Sequence, residues 1–88
     1  MKYVCLLQSI NHPTRRYIGL ASDVQARFSA HNAGQSPHTS KYRPWRLCLT
    51  LAFADGEKAA AFEAYLKTGS GWAFAKRYFW QDALGSQR

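Results

Sequence analysis

Residues 15–32 read RRYIGLASDVQARFSAHN, a strand-like half joined to a helix-like half. RYIGLA (16–21) is strand-prone, and Gly19 within it marks a bulge or a close backbone approach. Ser22 follows, with Gln25 three residues on. That spacing is a capping box, in which hydroxyl and amide satisfy free N–H groups at a helix start. Asp23 adds negative charge at the positive end of the helix dipole. The helix is expected to run to about Ala33, with Gly34 as its stop. Val24 and Phe28, four apart, form its apolar stripe, and Arg27 and His31, also four apart, share a neighbouring face. A strand therefore delivers Tyr17, and the helix after it delivers a guanidinium and an imidazole in similar directions.

Upstream, YVCLLQSI (3–10) is continuously apolar at first, as a buried strand is. Period-two alternation puts Tyr3, Cys5 and Leu7 on one face. The turn residues of NHPT connect it to residues 16–21 as a hairpin. Downstream, QSPHTSKYRP is a polar loop. In WRLCLTLAF (45–53), Trp45, Leu47, Leu49, Leu51 and Phe53 alternate, which predicts a strand with all five on one buried face. Asp55 can cap an alanine-rich helix from about Gly56 to Lys67, TGSG breaks it, and WAFAKRYFW (72–80) forms the last helix. Its Trp72, Ala75 and Phe79 are expected to face the core, with Lys76 and Arg77 outside. The order ββαβαα describes an α+β domain over residues 1–80, a small three-stranded antiparallel sheet flanked by helices, with 81–88 as a flexible end.

Charge narrows the partners. Twelve Lys and Arg oppose five Asp and Glu among 88 residues, a net charge of +7. Such an excess attracts polyanions, of which nucleic acid is the commonest in the cytoplasm, without conferring sequence preference. No apolar run approaches the roughly 18 residues of a membrane span. The short apolar start leads into turn residues rather than a cleavage site, so a cytoplasmic protein with no membrane partner is expected. The two cysteines, Cys5 and Cys48, sit in apolar contexts and read as reduced core thiols, not a disulfide framework or a structural zinc site.

Four residues could carry chemistry. Glu63, in EKAAAFEAYLK, lies near the apolar face of its helix, where a carboxylate needs a cation. That cation is either a Lys or Arg or a divalent metal, since Mg²⁺ often binds one carboxylate, waters and substrate phosphates. A chain this poor in acids could offer only that kind of magnesium site. Arg27 presents a planar fork matched to phosphate oxygens. His31 could move a proton, and Tyr17 could bring its hydroxyl to a water nucleophile. Each taken singly also reads as an ordinary surface or half-buried side chain.

Taken together, YIG (17–19), Arg27, His31 with Asn32, YRPW (42–45), Glu63 and LKTGSG (66–71), in this order, resemble the GIY-YIG nuclease superfamily, and more closely its small stand-alone bacterial domains. The resemblance spans roughly residues 2–78. It implies phosphodiester hydrolysis, on DNA, assisted by a single Mg²⁺ or Mn²⁺ ion. Glu63 would hold the metal, Arg27 would grip the scissile phosphate, Tyr17 would position or deprotonate water, and His31 would assist proton transfer. Arg15, Arg16, Lys41, Arg43, Lys67, Lys76 and Arg77 would hold the strands, and the TGSG turn could present amides to a phosphate. One departure stands out. The first motif aligns with Tyr3, Val4 and Cys5, so a cysteine occupies the family's tyrosine position. A thiol is shorter than a phenol, although a neighbouring cation could activate it, and Tyr3 lies two residues away on the same face. Beside a nuclease of little sequence selectivity, involved for example in DNA repair, two alternatives therefore stand. One is a nucleic-acid-binding module without catalysis. The other is a subunit whose protein partner supplies target selection.

Overall fold

A computed structural model describes residues 1–80; the expected flexible end, 81–88, lies outside the described residues. The elements are β1 (Lys2–Ser9), β2 (Arg16–Ala21), α1 (Val24–Asn32), a 3₁₀ turn (Ser40–Tyr42), β3 (Trp45–Phe53), α2 (Gly56–Leu66) and α3 (Gly69–Tyr78). The three strands form one antiparallel sheet in the order β2-β1-β3, so the expected ββαβαα arrangement is present with β1 at the centre.

The hairpin register explains which side chains go where. Cys5 pairs with Gly19, Leu6 with Ile18 and Leu7 with Tyr17. Alternation sends Val4, Leu6 and Ile18 to one face, where they join Ala59 and Leu66 of α2, Ala75 of α3 and Trp80 in the buried core. Full burial of a side chain such as Val4 or Leu6 contributes about 1.5–3 kcal/mol. Cys5 and Leu7 point to the other face, where Val24 and Phe28 of α1 cover them together with Leu47. Helix α1 thus lies on one side of the sheet, and α2 and α3 lie on the other.

Strand β3 departs from the strict alternation its sequence suggests. Leu6 pairs with Leu49, yet Leu7 pairs with Leu47, so Cys48 is an extra residue in a β-bulge. The bulge splits the apolar row. Leu49, Leu51 and Phe53 pack with Cys48 against the main core, whereas Leu47 turns to the α1 side. Trp45, paired with Ser9, is buried at the start of the same strand.

Two helix starts also differ from expectation. Asp23, not Ser22, caps α1: its carboxylate accepts the Ala26 N–H at 3.1 Å, while the Ser22 hydroxyl accepts from Lys2 Nζ. Gly34, at φ +81°, ends that helix in the left-handed region as the sequence suggests. Asp55 caps α2 by accepting from Glu57 and Lys58 N–H. The TGSG turn does more than break the chain. Thr68 caps α3, accepting the Gly71 N–H at 3.1 Å, and the helix begins at Gly69. Gly71 is buried against the end of α2, where an added Cβ would collide with the backbone carbonyl of Tyr65. Only glycine allows the two helices this approach. Among the described residues, no helix is long and apolar enough to cross a membrane.

Candidate active site

The α1 side of the sheet is where polar groups gather, and Gly19 is the first reason. There is no bulge at Gly19, because the β1–β2 register runs unbroken through it. Instead, the Tyr17 ring lies over it: an added Cβ would stand 2.7 Å from both Cε2 and Oη of Tyr17. The missing side chain lets the phenol lie along the strand toward α1. There Arg27 Nη2 donates to Tyr17 Oη at 3.4 Å. Arg27 itself is exposed, so its remaining donors face solvent.

One turn further along α1, His31 is only 4% exposed. Its ring packs at 4.4 Å, centroid to centroid, on the ring of Tyr17. His31 Nδ1 and the Thr39 hydroxyl are hydrogen-bonded at 2.8 Å, which leaves Nε2 as the nitrogen Thr39 does not engage. Burial first, and the Arg27 charge second, hold the imidazole below the ordinary histidine range. It is therefore neutral at pH 7 and able to accept a proton.

The loop between α1 and β3 is tied down by the same residues. Thr39, also buried, accepts the Trp45 indole N–H on its carbonyl at 2.9 Å. Asn32 uses both ends of its amide on Trp45: Oδ1 accepts the backbone N–H at 2.6 Å, and Nδ2 donates to the backbone carbonyl at 3.2 Å. The side-chain amide thus imitates a neighbouring strand and fixes the end of α1 to the start of β3. Tyr17, Arg27, Ala30, His31, Gln35 and Ser36 line a cleft of about 270 Å³.

Cys5 lies beside this group in an apolar slot with Leu7, Gly19, Val24, Phe28 and Leu47, one that leaves no room for a water molecule. Burial pushes its thiol up from the ordinary range, and the nearby Arg27 charge offsets this only in part. The cation that could activate the thiol is present, yet burial dominates and the thiol stays protonated. Tyr3, two residues away, is half-buried and pairs across the sheet with the small residues Ala21 and Ala52.

Glu63 does not line the cleft. It is half-buried on α2, across the sheet, and its carboxylate is paired with Lys67 one turn on at 2.5 Å. Its direction follows from the helix. Ala59 and Leu66 mark the buried seam, and at ~100° per residue Phe62 and Glu63 fall on opposite flanks of it. Phe62 packs on Phe53 of β3 at 5.8 Å, so Glu63 takes the flank toward β2, the edge strand whose other face carries Tyr17. Among the described residues, no group of three or more His, Cys, Asp or Glu forms a metal cluster.

Six of the seven expected strand-holding cations fall into two sets. Arg15 and Lys41 lie over the Tyr42 ring, 4.8 and 5.9 Å from its centroid, and Arg43 covers Gly34 while donating to the Ser40 carbonyl. Lys67, Lys76 and Arg77 are exposed around α2 and α3. Arg16 belongs to neither set. It is half-buried between Trp72 and Trp80, 5.9 and 5.3 Å from their rings, and its Nε is buried without a hydrogen-bond partner among the described residues. Thr39, the anchor of His31, lies in the polar loop, where its place eight residues after a helical histidine is its only sequence signal.

A phenol, a guanidinium and a neutral imidazole share the wall of one cleft on a strongly basic protein, which is the equipment of a phosphate-handling site. The family model described as the GIY-YIG catalytic domain matches residues 1–75, and the chain belongs to that family. It is a family of nucleases, whose members typically act as endonucleases on nucleic acid and generally use a divalent metal. No curated protein matches the chain.

Proposed function

We propose that the protein is a metal-dependent endonuclease that hydrolyses DNA phosphodiester bonds with little sequence selectivity. The observation that carries this reading is the convergence of Tyr17, Arg27 and His31 on one cleft. Arg27 grips the scissile phosphate and stabilises the charge that grows on it in the transition state. Its bond to Tyr17 Oη uses the phenol as an acceptor, which leaves the phenolic proton to orient a water. His31, kept neutral and held by Thr39, accepts the proton released toward the cleft.

The reading gives Mg²⁺ or Mn²⁺ a single carboxylate, which stands outside the cleft on the α2 flank toward β2, with water and substrate phosphates completing its shell. Glu63 would hold the ion, and Lys67 would release the carboxylate to do so. Such an ion would polarise a phosphoryl oxygen and ease departure of the leaving oxygen. We assign Cys5 to packing, because its buried thiol remains protonated.

That assignment is also what favours a second reading, a DNA-binding module without catalysis. Such a module would bind with steep salt dependence and no need for metal. Purified protein incubated with Mg²⁺ or Mn²⁺ and duplex, single-stranded or branched DNA separates the two. The expected result is nicking that EDTA abolishes and Glu63→Gln reduces at least 100-fold, with Cys5→Ala cleaving within a few-fold of wild type. Salt-sensitive binding with no cleavage of any substrate overturns the nuclease reading in favour of the module.

A further inference from the structure

The α2–α3 surface carries a feature the cleft does not use. Tyr65, Phe74 and Tyr78 are 41%, 38% and 64% exposed. Their rings form a continuous row, with centroids 6.3 Å apart from Tyr65 to Phe74 and 5.2 Å from Phe74 to Tyr78. The row is built, not incidental: Gly71 lets α3 approach the end of α2 closely enough to bring Tyr65 and Phe74 together. A cation lies against it. Arg77 lies 5.8 Å over the Tyr78 ring, Lys76 and Arg77 occupy the last turn of α3, and Lys67 ends α2. Helix α3 has no acidic residue, and Glu63 is already paired with Lys67.

We propose that this row is a stacking platform for unpaired bases, and that the substrate carries a single-stranded segment. The proposal rests on the nucleic-acid reading above and gives it a substrate class. Two observations favour a single strand over a protein partner. Helix α3 carries no acidic residue, so a phosphate backbone meets no like charge along it. Arg77 lies over the Tyr78 ring in a chain of net charge +7, the combination of exposed ring and cation that single-strand sites use. A base stacks on any exposed ring, and the backbone charge complements Lys67, Lys76 and Arg77. Duplex DNA, with its bases already stacked, meets only the cations.

The test is fluorescence anisotropy with a labelled oligo-dT and a blunt duplex, in EDTA so that nothing is cut. The variants are Tyr65→Ala/Tyr78→Ala, Tyr78→Trp and Lys76→Gln/Arg77→Gln, each compared with wild type at matched thermal stability. The double alanine variant should lose roughly 10-fold or more for the single strand and less than 2-fold for the duplex. Tyr78→Trp should retain single-strand affinity. The charge variant should weaken both and reduce the slope of log affinity on log salt by about 1–2. Unchanged single-strand binding in the double alanine variant overturns the proposal, as does an equal loss on both probes. Sedimentation showing a wild-type dimer that this variant dissolves also overturns it, assigning the rings to a second copy. Arg27→Ala and Glu63→Gln serve as separate controls: if wild type never cuts but the single-strand preference stands, the platform survives and the nuclease reading fails.

Discussion

The two faces of the sheet are built from one alternating strand and yet hold different things. Toward α2 and α3, Val4, Leu6 and Ile18 meet Ala59, Leu66, Ala75 and Trp80 in a core that excludes water. Toward α1, Cys5, Leu7 and Leu47 form only a narrow apolar layer, beside which Tyr17, Arg27, His31 and Thr39 make a polar cluster. Small side chains such as Ala59 and Ala75 let the two helices of the first face pack closely on it, and Gly71 lets them touch each other. The second face uses the absence of a side chain differently, since Gly19 makes room for a phenol. One face supplies most of the stability, and the other is free to carry groups that would destabilise a core.

Substitutions can break that division in order of their expected effect. Leu6→Ala removes a fully buried side chain at the centre of the first face, so it should cost about 2–5 kcal/mol and lower Tm by more than about 10 °C. Asn32→Ala strands the backbone N–H and carbonyl of Trp45, and denaturant unfolding should show a loss of about 1–3 kcal/mol. Gly19→Ala sharpens the contrast. Its Cβ would displace the far end of a movable ring, so stability should change by less than about 1 kcal/mol while cleavage falls about 10-fold.

The smallest effect is one of pH. The folded protein holds His31 below its unfolded pKa, so below about 6.5 the unfolded chain binds more protons. The contribution of neutral His31 is therefore complete above about 6.5 and is lost as pH falls through the folded pKa. His31→Gln should flatten that decline in a stability-against-pH series.

The polar cluster was more legible in the sequence than the packing beneath it. Tyr17, Arg27 and His31 converge because a period-two strand and a period-3.6 helix fix their directions from spacing alone. The bulge at Cys48 left no such trace. In a strand where nearly every residue is apolar, a one-residue slip changes which face Leu47 joins without changing the composition of either. The capping box failed because Ser22 and Asp23 are both competent caps, and a single-residue shift gave the role to Asp23. Thr39 and the Asn32 clamp depend on how a loop folds back, which no local periodicity encodes. Glu63 was legible as a near-buried carboxylate in need of a cation, but whether lysine or metal answers that need was not, and in the described structure it is Lys67.

Removal of the Arg27 guanidinium tests the division of labour most directly, with nicking of supercoiled plasmid in Mn²⁺ and Tm measured on the same preparation. Arg27→Ala should cut at least about 100-fold more slowly, in line with the loss of a charge-stabilising donor, while an exposed helical site keeps stability within about 0.5 kcal/mol of wild type. A variant that nicks at the wild-type rate, or one that loses activity only because it has unfolded, would contradict the claim that the α1 face is where phosphate chemistry happens.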